Sequence, residues 1–217
     1  MRERAQILVL NTTSFGEKSL ILHCISDRWG RRSFMVSRSA KTSGSLYQPM
    51  TVLDCEVSIN PKSDLWRAHN LALKHPLASL RSSMPKTAIS LFMSEVLYRT
   101  VRESLQEDDA FFAWCERSIL TLDALGEDYQ NFHILFLLGL AAALGFRPSE
   151  ESLAPYVGED YRLVGQFLTS STAEAMLIPL NGARRAGLCR SILKYLEYHT
   201  DAKIDVKSLD VLHELFA

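Results

Sequence analysis

Cysteine is sparse and scattered in this chain: Cys24, Cys55, Cys115 and Cys189 form no C-x-x-C pair and have no histidine at zinc-finger spacing. That excludes a legible zinc site, so the expected metal and cofactor complement is none. Nucleotide and hydrolase signatures are missing too, with no P-loop, no dinucleotide-type glycine pattern, no G-x-S-x-G elbow and no H-E-x-x-H pair. The six histidines are dispersed and read as surface or partly buried polar residues, and the adjacent acids Glu150-Glu151 and Glu159-Asp160 read as solvated. An enzyme is therefore not expected. The longest strongly apolar run, Ile134 to Phe146, has 13 residues, short of the ~18 of a membrane span, and reads as a buried helix. No stretch resembles a secretory signal, and Cys24 and Cys55 sit in apolar segments suited to reduced thiols, so a cytoplasmic protein without membrane contact is expected.

Net charge is also nearly absent, at −1 for 217 residues, which by itself argues against a polyanionic partner. The average hides a polarity. Through Arg81 the chain holds 12 Lys/Arg against 6 Asp/Glu, and the remainder holds 12 against 19. A basic first part and an acidic second part suit a nucleic-acid contact in the first, and equally suit two ordinary domains of opposite sign.

What is present is a change of period. From Ala5 to about Ala72, short β-rich segments alternate with turn formers, which predicts strands over Gln6–Asn11, Ser19–Ser26, Arg31–Val36, Thr51–Ile59 and Leu65–Leu71. The fourth is clearest, because Leu53, Cys55, Val57 and Ile59 alternate with Asp54, Glu56 and Ser58. Five strands in about 70 residues match the size of an OB-fold, a Greek-key barrel that often binds oligonucleotides. After Pro76 the period becomes helical. Ile89, Phe92, Met93, Val96, Leu97 and Val101 predict a helix from about Pro85; others are expected over Ala110–Leu125, Tyr129–Leu144, Ala183–His199 and Lys207–Phe216. The third should end on Gly145 as a left-handed cap, with Asn131 and His133 near its exposed end or in specific polar contacts. Residues 149–183, rich in Pro and Gly, read as irregular. The fold class is α+β: a five-stranded OB-fold barrel over 1–78, then an all-helical domain over 79–217.

One cluster stands out. Arg28, Trp29, Gly30, Arg31 and Arg32 occupy the turn into the third strand, and Arg38 and Lys41 follow in the next connection. Cations beside an aromatic ring suit single-stranded nucleic acid, with phosphates paired to Arg28, Arg31, Arg32, Arg38 and Lys41 and a base stacked on Trp29 or Tyr47. The alternatives are a solvated hairpin tip with core-facing aromatics, and an OB-fold adaptor that binds protein rather than DNA.

LVLNTTSFGEKSLILHCISDRWGRRSFMVSRSAKTSGSLYQPMTVLD resembles the amino-terminal domain of the RecO family of bacterial recombination mediators. Its landmarks are the apolar first strand, Gly16-Glu17-Lys18-Ser19-Leu20, the Gly30-Arg31 turn, the Arg38 to Lys41 loop and Tyr47-Gln48-Pro49. SLFMSEVLYRTVRE, NFHILFLLGLAAALGFRP and VKSLDVLHELF are similar to helices of the family's carboxy-terminal domain, so the resemblance covers most of the chain. Many members carry a cysteine zinc cluster after the central helix. This chain reads Arg147-Pro148-Ser149 there, like the zinc-less members of Bacteroidetes, and no zinc finger is expected. The resemblance implies a non-catalytic DNA repair protein, cytoplasmic and nucleoid-associated, that binds single- and double-stranded DNA. It further implies annealing of strands coated by single-stranded DNA-binding protein (SSB), and RecA loading together with RecR and in some species RecF. It places the SSB tail on the helical domain, where Arg99 and Arg102 are candidate cations.

Overall fold

A computed structural model describes residues 2–38, 44–102 and 109–216. Five strands come first: β1 (Arg2–Phe15), β2 (Ser19–Ser26), β3 (Gly30–Ser37), β4 (Val52–Ser58) and β5 (Trp66–Leu73). Helices follow: α1 (Ala78–Ser82), α2 (Met84–Thr100), α3 (Asp109–Ala124), α4 (Phe132–Ala143), α5 (Glu150–Val157), α6 (Tyr161–Thr169), α7 (Thr172–Met176), α8 (Gly182–Thr200) and α9 (Ser208–Leu215). The strands close a barrel in the order β1-β2-β3-β5-β4, which is an OB-fold.

Register explains the core. Ile7 lies opposite Leu53, Val9 opposite Cys24 and Leu22 opposite Phe34, and these alternating residues, with Val36, Cys55 and Val57, fill the interior. A register shift between Val9 and Asn11 bends β1, so that its first half pairs with β4 and its second with β2. β1 is longer than Gln6–Asn11 at both ends. Arg2-Glu3-Arg4 pairs with Glu56-Val57-Ser58, and Thr12 to Phe15 pair with Ser19 to Leu22; partner strands, not apolar alternation, hold these polar ends in line. The barrel is closed by a short parallel contact in which Phe34 faces Trp66 and Met35 faces Arg67.

Two compact units emerge. One holds the described residues up to Ala78 together with Val101–Ile119; the other holds Ser79–Thr100 and the chain from Leu120. The expected division at 78/79 differs from this in one segment, because most of α3 groups with the barrel. Leu8, Ile25 and Val52 form a row on the outward face and yet are buried, and the same unit contains Phe111, Phe112, Cys115 and Ile119, also buried. Glu116 of α3 meets Lys74 at 2.6 Å and His75 at 2.8 Å at the end of β5. Burial alone would raise the Glu116 pKa, but hydrogen bonds and charge from Lys74 and His75 outweigh it and hold the carboxyl below its usual range.

The helical unit has its own core. α4 is buried along most of its length and is followed by Gly145 at φ +88°, the left-handed residue expected there. Lys86, buried in the first turns of α2, donates to Ser79 Oγ at 2.7 Å, to the Asp123 carbonyl at 3.0 Å and to the Leu125 carbonyl, satisfying carbonyls at the end of α3. Residues 149–183 are not irregular: they fold as α5, α6 and α7. Ser149 forms a capping box with Ser152, and Ser171 forms one with Glu174, so two side chains start helices that the surrounding Pro and Gly obscure in sequence.

α9 depends on a borrowed cap. Its N-cap residue Lys207 makes no side-chain cap, and Glu95 of α2 instead accepts from Ser208 N at 3.1 Å, Ser208 Oγ at 2.7 Å and Lys207 N at 3.3 Å. Glu95→Ala is expected to cost about 1 to 2 kcal/mol, seen as a lower urea midpoint by far-UV circular dichroism. A loss under about 0.3 kcal/mol would show that water replaces this cap.

Candidate nucleic-acid interface

The hairpin of β2 and β3 brings Arg28, Trp29, Arg31 and Arg32 within five residues of one turn, but the structure gives each a different environment. Arg28 pairs with Glu3 at 2.7 Å, donates to the Arg4 carbonyl at 3.3 Å and lies 5.5 Å from the Trp29 ring centroid. Its charge is matched within the barrel. Arg31 faces outward beside Ile25 and donates to the Val101 carbonyl, so it ties the β3 strand to the segment before α3. Arg38 is exposed at the far end of β3, six residues from Arg32 and so ~20 Å along the strand. Lys41 lies outside the described residues.

Trp29 and Trp66 are both half-buried against the barrel core, beside Tyr47, and their rings meet edge-on at 5.3 Å and 86°. The aromatic that the sequence reading missed is Trp66. Its indole N–H donates to the Asn60 carbonyl at 3.0 Å, and the Arg32 guanidinium lies 3.9 Å from its ring centroid. Arg32 meets no carboxylate among the described residues. Its one hydrogen bond there is a long contact of 3.5 Å to the Asp64 carbonyl, and its buried Nε has no partner. Arg31, Arg32, Ser33, Asp64 and Leu65 line a cleft of about 220 Å³ at this mouth of the barrel. Arg67 is exposed on β5 beside Met35, and Lys62 is exposed in the preceding loop. The five-stranded order that places β5 beside β3 was the available signal for both.

A second cleft, about 600 Å³, is lined by Arg4, Ala5, Gln6, Asp27, Asp54, Cys55, Glu56 and Asn70. Three carboxylates there disfavour a phosphate. Asp27 accepts from Gln6 N at 3.0 Å and from Ser26 Oγ at 3.3 Å, and burial raises its pKa above the usual carboxylate range despite those bonds and Arg28. Its role is to tie the start of β1 to the hairpin turn.

Arg99 is exposed in the last turn of α2, and Arg102 is exposed just beyond it. No group of three or more His, Cys, Asp or Glu that could hold a metal ion occurs among the described residues, and no described helix is long and apolar enough to cross a membrane.

A closed OB barrel with a cationic, aromatic mouth, continuous in sequence with a helical unit, defines an OB-fold protein with a helical carboxy-terminal part. Family models match in the same order: "Recombination protein O N terminal" over residues 1–76 and "Recombination protein O C terminal" over 81–154. The chain is similar to the DNA repair protein RecO of Phocaeicola vulgatus, 30% identical over 250 residues and covering all of both chains. It is likewise similar to that of Bacteroides fragilis, 29% identical over 243 residues, again with both chains fully covered. Flavobacterium psychrophilum RecO is 25% identical over 240 residues, with the same full coverage. The chain belongs to the RecO family of DNA repair and recombination proteins.

Proposed function

We propose that the protein is a non-catalytic recombination mediator that binds single- and double-stranded DNA through its barrel, residues 1–78, and anneals complementary strands. Acting with RecR, and with RecF where it is present, it helps RecA load onto strands coated by SSB. The helical part recruits protein partners, the SSB tail among them, with Arg99 as its candidate cation for that acidic tail, whereas Arg102, the other candidate, groups with the barrel unit. The cytoplasm, at the nucleoid, is the setting for this work.

The observation that carries the reading is Arg32, a cation with no carboxylate partner among the described residues, stacked on Trp66 at a barrel mouth whose cleft Arg31 also lines. Such a site gains from phosphate what the protein does not supply. The Arg28–Glu3 pair and the packing of Trp29 and Trp66 on the barrel core favour the adaptor reading instead. Binding and annealing of a fluorescent oligonucleotide across a salt series distinguishes the two. Salt-sensitive binding with faster annealing is expected, and no binding at low salt would leave the adaptor. Arg31→Ala/Arg32→Ala is expected to weaken binding about tenfold at low salt and to flatten the log–log salt slope by about 1 to 2. Unchanged binding would remove both arginines from the interface.

A further inference from the structure

We propose that Trp66 is a nucleobase-stacking site which Arg32 covers in the unliganded protein and uncovers as it moves to a phosphate. This rests on the DNA-binding reading above and names the base contact within it.

Three features converge. Trp66 is held rigidly, by its N–H bond to the Asn60 carbonyl at 3.0 Å, by the edge-on contact with Trp29 at 5.3 Å, and by backbone register with Phe34. A ring fixed in this way offers a flat face with little ordering cost. Arg32, by contrast, is held weakly. Its planar guanidinium lies 3.9 Å from the Trp66 ring centroid, its hydrogen bond to the Asp64 carbonyl is 3.5 Å long, and its buried Nε has no partner among the described residues. A buried donor without an acceptor costs free energy that a phosphate oxygen would recover. Third, the adjoining cleft of about 220 Å³ gives the guanidinium and an incoming base room to exchange places. The guanidinium is flat, cationic and stacked, and so occupies the position a base would take on the same indole. Asp64 lines the cleft as well, and its charge opposes a phosphate placed beside it rather than over Arg32.

The chemistry recognised is a nucleotide with a π face and a flanking phosphodiester, without selection among bases, since every base has a stacking face. Because one base is stacked, removing the bases should matter at this residue and leave the ionic contacts alone.

The test compares binding of an oligodeoxyadenylate with binding of an abasic oligomer of the same length and charge, with full-length protein at low salt. The wild type is expected to bind the base-bearing strand about 5- to 150-fold more tightly, the effect of stacking one base, with quenched tryptophan emission for that strand alone. Trp66→Leu should abolish the preference and Trp66→Phe should keep most of it, while Arg32→Ala should keep the preference and flatten the salt slope by about 1. Should Trp66→Leu fail to fold, the wild-type preference and quenching together with Trp66→Phe decide the matter. Equal binding of both oligomers by the wild type, or an undiminished preference in folded Trp66→Leu, overturns the stacking site and leaves DNA binding intact. Absence of binding to either oligomer overturns the DNA-binding reading and the stacking site with it.

Discussion

Arg185→Ala is expected to destabilise the helical unit by about 3 to 5 kcal/mol. Arg185 is 8% exposed on α8, and its three hydrogen bonds are to neutral acceptors: Nε to Asn131 Oδ1 at 3.0 Å, one terminal nitrogen to the Phe216 carbonyl at 3.1 Å, the other to the Leu180 carbonyl at 2.8 Å. Burial lowers its pKa, yet a guanidinium stays charged, so carbonyl dipoles hold the charge. The network continues, because Asn131 Nδ2 donates to the Ala175 and Ile178 carbonyls at 3.1 and 2.8 Å. One side chain thus joins the start of α4, the segment after α7, α8 and the end of α9. Truncation leaves Asn131 Oδ1 unpaired in the interior and the half-buried Phe216 and Leu180 carbonyls unpaired beside it. Arg185→Lys keeps the charge but not the planar fork, and should cost nearly as much. Arg185→Met, which removes both the charge and its desolvation, should cost less than either. The location of the effect is measurable, since all three tryptophans, Trp29, Trp66 and Trp114, lie in the barrel unit. Urea unfolding followed by far-UV circular dichroism should shift far more than unfolding followed by tryptophan emission. A cost under about 1 kcal/mol for Arg185→Ala would mean that this network does not hold the unit together.

That network was not legible in sequence, whereas the barrel largely was, and the difference is one of range. Leu53, Cys55 and Val57 against Asp54, Glu56 and Ser58 state a two-residue period that any half-buried strand must obey, and β2 occupies Ser19–Ser26 as its composition predicts. Gly145 after an apolar helix is likewise local. Arg185 and Asn131 are 54 residues apart, and nothing in either neighbourhood announces the other. The helices from Glu150 to Met176 were legible in principle, through the Ser171-Thr172-Ala173-Glu174 capping box, but the nearby glycines and prolines outweighed it.

The candidate site was half legible for the same reason. The turn holding Arg28 to Arg32 is contiguous, so its cations read as one cluster. What each cation does there is decided at a distance: Glu3 neutralises Arg28, the Val101 carbonyl engages Arg31, and Trp66 receives Arg32. Contiguity grouped Arg28 with Arg32, while the parallel β3–β5 contact groups Arg32 with residues 64–67. Five strands read as an OB-fold already imply that contact, so the strand order was the unused clue to Trp66 and Arg67.

Acidification should weaken the helical unit through His133. The ring is 2% exposed, stacks at 12° against Phe216 and meets Phe92 edge-on, and its Nδ1 has no partner among the described residues. Burial, assisted by the positive charge of Arg185, pushes its pKa down from 6.5 to about 3. The folded state therefore holds His133 neutral, while the unfolded chain takes up a proton near pH 6.5. A depressed folded pKa gives a contribution that is fully present above about pH 6.5 and is lost as the pH falls from there toward about 3. At about 1.4 kcal/mol per pH unit, roughly 2 kcal/mol has gone by pH 5. His133→Phe keeps a ring between Phe92 and Phe216 and has nothing to titrate. Its stability near pH 7.5 should match or slightly exceed the wild type, since the unpaired Nδ1 is gone, and between pH 6.5 and 5 it should lose about 2 kcal/mol less. Urea midpoints by far-UV circular dichroism at pH 7.5, 6.5 and 5 read the difference directly, with carboxylate titration common to both proteins. Parallel pH profiles for the two would show that the buried imidazole opens to water before it charges.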